Sequence, residues 1–294
     1  MDESYYLYAL TWAGCRLEGA GPGVDPRFPT ELVRYGQLAA LASRVAWDDR
    51  DLAKLQEGSA DPAWVSTVAL RHHEIIAALA RHWSVLPMRL GTLFRSRSSM
   101  IAKLADCEAN AARFLQRLEQ RQEWAVKLYL AADGLQRQGT PHAPREGVLH
   151  AECEGLRHAE REGLRHAERD EYGRGTQYLA AKGQQAARRH QSEAVVRQAI
   201  ATVETRLQGV ADSWQRLAPL STALTHRAEK MVWNGALLLA KSAVAAFQTA
   251  CGQLASQLAP AGLLLEATGP WPPYHFAPSL DPSQGPVKQQ VGQI

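Results

Sequence analysis

The chain has 294 residues, 46% of them hydrophobic and 21% charged, with a formal net charge of +3. These totals fit an ordinary globular protein of one large or two smaller domains, long enough to bury roughly 75% of its unfolded surface. So small a charge argues against an extended nucleic-acid footprint, and Cys15, Cys107, Cys153 and Cys251 form no Cys-x-x-Cys pair, which weakens zinc, redox and disulfide readings and fits a reducing cytosol.

Residues 5–12, YYLYALTW, read as a strand, and 18–30 as a Gly/Pro loop. Residues 31–47 support two readings. Their alanines favour a helix, whereas the alternation of Val33, Tyr35 and Gln37 around Gly36 favours two short strands. Over 61–83 the spacing predicts a helix. Asp61 can cap it, Pro62 fits its first position, and Val65, Ala69, His72, Ile76, Leu79 and Trp83 recur at three and four. Residues 84–94 alternate, with Leu86, Met88, Leu90 and Phe94 on one face, and predict one strand. Leu104, Cys107, Ala111, Phe114 and Leu118 then mark a second helix, with Cys107 as a small core residue.

A second round begins at 123–130. Trp124, Val126, Leu128 and Leu130 share one face of a strand, and Glu123, Lys127 and Tyr129 the other. A helical stripe runs through Val196, Ile200, Val203 and Leu207. Residues 211–220 read either as its continuation or as a strand after Gly209. Residues 231–241 predict a strand, 242–260 a helix stopped by Pro260, and 262–268 a last strand. This order, β-α-β-β-α-β, is that of a ferredoxin-like unit. The first round repeats the plan with the Gly/Pro loop in place of its first helix. The expected fold class is α+β: two modified ferredoxin-like units joined by long helices. The expected parts are an N-terminal domain over 1–95, a linking helix over 96–122, a second domain over 123–277, and a flexible tail over 278–294.

Residues 146–169 contain an octad repeat, EGVLHAEC, EGLRHAER, EGLRHAER. Eight residues turn a helix by about 800°, so equivalent positions drift by about 80°. His150, His158 and His166 therefore do not stack into a metal face. A solvated, partly frayed helical insertion over 146–170 is expected.

No nucleophile elbow, phosphate loop or His-Glu-x-x-His zinc motif is present. His72, His73 and Glu74 form the best acid–base cluster, but His72 lies on the apolar stripe, where a hydrogen-bonded core histidine is the simpler reading. The basic stretch 182–190 lacks interleaved aromatics and reads as a solvated helix face. The acidic start lacks a signal peptide's basic region, and the apolar run up to Phe247 is interrupted by Lys241, so neither a leader nor a membrane span is expected. Residues 269–276, GPWPPYHF, set Trp271, Tyr274 and Phe276 on a proline-stiffened backbone that can be neither helix nor central strand. Two readings stand side by side: the rings cap the edge of the last sheet, or they present a docking surface.

Several segments together resemble one family, the gas vesicle accessory proteins of the F/L type. YLYAL resembles that family's opening strand. VLPMRLGTLF resembles its Leu-Pro-x-Arg-Phe-Gly-Thr segment, with Leu90 in place of the Phe. EWAVKLYL, GTQYLAAKGQQAARR and TGPWPPYHF match further segments in order, across about 4–277. The octads and the tail fall outside the likeness. The resemblance implies strands at 31–47 and 211–220. It implies no enzyme and no cofactor or metal. It implies cytoplasmic, vesicle-associated work on the hydrophobic major shell protein and other vesicle accessory proteins. Candidate contacts are Pro87, Arg89, Gly91 and Thr92 at one sheet edge, with Trp271, Pro273, Tyr274 and Phe276. The alternative is a nucleic-acid-binding regulator on ferredoxin-like sheets. A hydrolase built on His72, His73 and Glu74 is a third possibility.

Overall fold

The computed structural model describes residues 4–17, 19, 21–47, 61–131 and 166–278. Its first sheet comprises β1 (Ser4–Trp12), β2 (Thr30–Tyr35), β3 (Leu38–Val45), β4 (Leu86–Pro87) and β5 (Leu93–Phe94), with α1 (Pro62–Ala80) between β3 and β4. The strands run in the order β2-β3-β1-β4, and β5 also pairs with β1. Residues 31–47 are thus a hairpin, turning at Gly36 with φ +53°. A Cβ at Gly36 would fall 2.0 Å from Glu108 Oε1, the oxygen that accepts from the Gln37 N–H at 2.8 Å. The positive φ favours glycine, and a Cβ would push the Glu108 carboxylate away from the turn.

The second sheet comprises β6 (Arg121–Leu130), β7 (Ser213–Leu217), β8 (Lys230–Ala240) and β9 (Leu263–Trp271). Its order, β7-β8-β6-β9, repeats the second-third-first-fourth arrangement of the first sheet. Between these strands lie α3 (His166–Gln208), the single turn α4 (Thr222–Thr225) and α5 (Val244–Leu258). Residues 211–220 hold a strand, and the last strand runs on to Trp271, past the expected end at 268. As the edge of its sheet, β9 tolerates Pro270 without losing a ladder bond.

Three apolar clusters order the layers. Tyr6, Tyr8, Leu41 and Val45 pack against Ile76 and Leu79 of α1. The other face of that sheet, with Leu7, Leu10, Leu38 and Ala42, packs on Met100, Leu104 and Phe114 of α2 (Arg97–Arg117). The same cluster takes in Ala236 and Leu238 of β8, so α2 lies between the two sheets. Beyond the second sheet, Trp124, Val126, Leu128 and Trp233 bury against Val203 and Leu207 of α3 and Phe247 and Leu254 of α5. Each such large side chain contributes roughly 1.5–3 kcal/mol of burial. A bulge in β1 serves both faces: Leu7 pairs with Ala42 and Ala9 with Leu41, leaving Tyr8 as the extra residue. Tyr8 and Ala9 therefore both turn toward α1, and Leu10 returns to α2.

The expectation of one strand over 84–94 is corrected. The chain leaves the sheet after Pro87, turns with the Thr92 N–H on the Arg89 carbonyl, and re-enters at Leu93. Leu86, Met88 and Phe94 keep the shared face, but Leu90 sits on the turn and is 38% exposed. The octads up to residue 165, Cys153 and residues 279–294 lie outside the described residues. Among the described residues no helix is long and apolar enough to cross a membrane, and no cluster of His, Cys, Asp or Glu could hold a metal ion.

Candidate functional site

Two neighbouring histidines of α1 anchor the two most distinctive segments of the chain. His72 is buried under the first sheet, 5% exposed. The Met88 carbonyl can only accept, so His72 Nε2 carries the ring proton and donates to it at 3.2 Å. Nδ1 of the neutral ring then accepts from the Tyr6 hydroxyl at 3.0 Å, and that hydroxyl in turn accepts from the Gly91 N–H at 3.0 Å. Burial lowers the His72 pKa to about 4, against a raising effect from Met88, so the ring is neutral at physiological pH. Burial also pushes the Tyr6 hydroxyl up. Both nitrogens of His72 are thus engaged in holding the 88–91 turn on β1.

His73 holds the other segment. Its Nδ1 lies 3.0 Å from the Tyr274 hydroxyl, and its ring is 5.5 Å from Trp271 and 5.9 Å from Tyr274. Burial pushes the Tyr274 hydroxyl up, and Glu123 adds to the shift. Phe276 enters the core between the sheets and is 8% exposed. His275, between these two anchors, clamps Glu123. Its N–H donates to Oε2 at 3.1 Å, and its Nδ1 lies 2.6 Å from Oε1. Glu123, on the strand face opposite Trp124, is 1% exposed. Burial pushes its carboxyl up, and His275 opposes that shift. Residues 272–277 form a clasp that ties the second sheet to α1.

Beside the clasp a cleft of about 620 Å³ opens between the two sheet units. Trp12, Trp83 and Trp271 line it, with Arg81, Arg121 and Lys241. Arg121 pairs with Asp212 at 2.6 Å. The Trp271 indole N–H donates to Thr268 Oγ1 at 3.2 Å, while the residue is 39% exposed.

The expected contact residues differ in exposure. Arg89 and Trp271 are exposed, and Gly91, Thr92 and Tyr274 are half-buried. Pro87, Pro273 and Phe276 are buried. The structure joins Trp271, Tyr274 and Phe276 through the clasp, and it places Pro87 to Thr92 on the neighbouring histidine. Arg81, Trp83, Trp12 and Lys241 carried no local signal. Arg81 and Trp83 follow the end of α1, Trp12 ends β1 and Lys241 follows β8, and they meet at the cleft.

These features define an α+β protein of two antiparallel sheets in five alternating layers, closed by a C-terminal clasp. The chain belongs to the gas vesicle synthesis protein GvpL/GvpF family, whose model matches residues 4–278. It is 36% identical over 140 residues to gas vesicle protein L of Streptomyces sp. (strain CB03234), a match covering 47% of this chain and 52% of that protein. The chain thus spans about half the length of this curated relative. In fold it is similar to the crystal structure of the gas vesicle protein GvpF from Anabaena sp. PCC7120, with TM-score 0.60 and 15% identity over 94% of this chain and 97% of that one. A similar likeness holds to GvpF from Microcystis aeruginosa, with TM-score 0.58 and 15% identity over 94% and 99% of the two chains. Family membership supports an accessory role connected with gas vesicles.

Proposed function

We propose that this protein is a non-enzymatic assembly factor that binds the hydrophobic major shell protein, together with other vesicle accessory proteins, and keeps shell subunits apart until they join the wall. It works in the cytoplasm and on the growing vesicle. We read each sheet as a modified ferredoxin-like unit, with 1–95 and 123–277 as the two domains and 96–122 as the helix between them.

The observation carrying this reading is the anchoring of both signature segments on one helix. His72 fixes the 88–91 turn and His73 fixes the clasp. Each segment leaves one large apolar side chain exposed, Leu90 at 38% and Trp271 at 39%. Apolar side chains on a stiff support bind an apolar partner with little ordering cost. Unpaired strand edges and apolar surface are the hazard for a free shell subunit, and covering them reversibly is the mechanism. Arg89, Leu90, Gly91, Thr92 and Trp271 are the proposed contacts. Pro87, Pro273, Tyr274 and Phe276 position them from within.

Co-purification of the shell protein with the tagged full chain tests this. The wild type retains the shell protein, and a Leu90→Ser/Trp271→Ala double variant with unchanged melting temperature loses it. Undiminished retention by the double variant rejects these contacts. No retention by the wild type rejects the function.

A further inference from the structure

We infer that the cleft beside the clasp is a binding site for an acidic peptide segment of a protein partner, one that also carries an aromatic or large apolar side chain. This rests on the vesicle-assembly reading and adds to it the chemistry of one partner. The cleft carries three cations, Arg81, Arg121 and Lys241, against one carboxylate, Glu119. Arg121 is paired with Asp212. Among the described residues neither Arg81 nor Lys241 has a carboxylate partner. Arg81 and Lys241, with no carboxylate partner among the described residues, attract anions more strongly in a concave site than on a flat surface, because the walls exclude part of the screening water.

The rest of the lining selects among anions. Trp12, Trp83 and Trp271 provide indole faces for an apolar or aromatic side chain. The helices α1 and α2 both end at the cleft, where Ala80 and Leu118 form part of its wall. Each helix end brings carbonyl groups and about half a negative charge. A phosphate concentrates its charge and offers only acceptors, so it meets repulsion there. A peptide spreads its carboxylates to reach Arg81 and Lys241 separately and offers backbone N–H groups to the helix ends. The volume of about 620 Å³ suits a short segment rather than a whole domain.

The test titrates the full chain with a capped hexapeptide of alternating glutamate and phenylalanine, read by tryptophan fluorescence and calorimetry. The glutamine counterpart of that peptide and ATP serve as comparators. The acidic peptide binds, and the glutamine version binds about tenfold more weakly or worse. Arg81→Ser/Lys241→Ser and Trp271→Ala each weaken acidic-peptide binding about tenfold with unchanged melting temperatures. Equal binding of both peptides, an unaffected charge variant, no peptide binding at all, or tighter binding of ATP each overturns the inference. Shell-protein capture by the charge variant separates the two readings. Normal capture beside absent peptide binding removes the cleft and leaves the assembly role standing. Peptide binding by a wild type that captures no shell protein removes the assembly role and leaves the cleft standing.

Discussion

His73 Nδ1 and the Tyr274 hydroxyl meet at 3.0 Å across 201 positions of chain. This contact attaches the end of the second sheet to the first helix. Tyr274→Phe keeps the ring and loses the bond, and it is expected to cost about 1 kcal/mol. Phe276→Ala removes the clasp's buried anchor and is expected to cost about 3–5 kcal/mol. Urea denaturation of the two variants measures both, and equal costs would show that the clasp is not held chiefly by Phe276.

His72 makes stability depend on pH. Its folded pKa of about 4 lies below the ordinary 6.5. Between those values the unfolded chain binds the extra proton, so stability is full above about pH 6.5 and falls as the pH drops toward 4. The expected loss is about 2 kcal/mol at about pH 5 and on the order of 3 kcal/mol at about pH 4. A His72→Gln variant should show a flatter slope. Denaturation midpoints across that range for the two proteins check the difference.

The buried Glu123 should not tolerate truncation. Glu123→Ala leaves the His275 N–H and imidazole without their acceptor. A cost of about 2–4 kcal/mol is expected, most of it from polar groups left unpaired. Thermal melting of the variant measures it.

Two backbone positions should respond in opposite directions. Gly269 has φ +152°, and a Cβ there would sit 2.9 Å from Trp124 Cδ2. Gly269→Ala is expected to cost about 2–4 kcal/mol through backbone strain and crowding. Gln120, a non-glycine residue with φ +57° in the turn between α2 and β6, presents the reverse case. Gln120→Gly is expected to gain about 0.5–1 kcal/mol, since glycine adopts that conformation without a Cβ penalty. Calorimetry of both variants reads the two signs.

Periodicity located most of the elements because most faces meet one kind of surface. The stripe through His72, Ile76 and Leu79 recorded a single buried side, and the alternation in β6 marked its apolar face, although Glu123 and Tyr129 on the other face are buried as well. Periodicity failed where two layers compete for the same strand. The alanines of β3 resemble a helix because α1 and α2 cover both faces and favour small side chains. Leu90 continued an alternation that the chain had already left, since a hydrogen bond to Tyr6, distant in sequence, holds the turn. The pairing of Glu123 carried no local signal, because its partner, His275, is 152 positions away. The rings of GPWPPYHF could be seen to be rigidly held. The contacts of Trp271 and Tyr274 with His73, and the burial of Phe276 between the sheets, depend on a long-range closure that no local pattern carries.

The central claim is that the protein keeps shell subunits from aggregating. Light scattering of shell protein diluted from denaturant, with and without an equimolar amount of the full chain, tests it most directly. Suppressed scattering that returns with the Leu90→Ser/Trp271→Ala variant is the predicted result. Scattering unchanged by the wild-type chain would contradict the account.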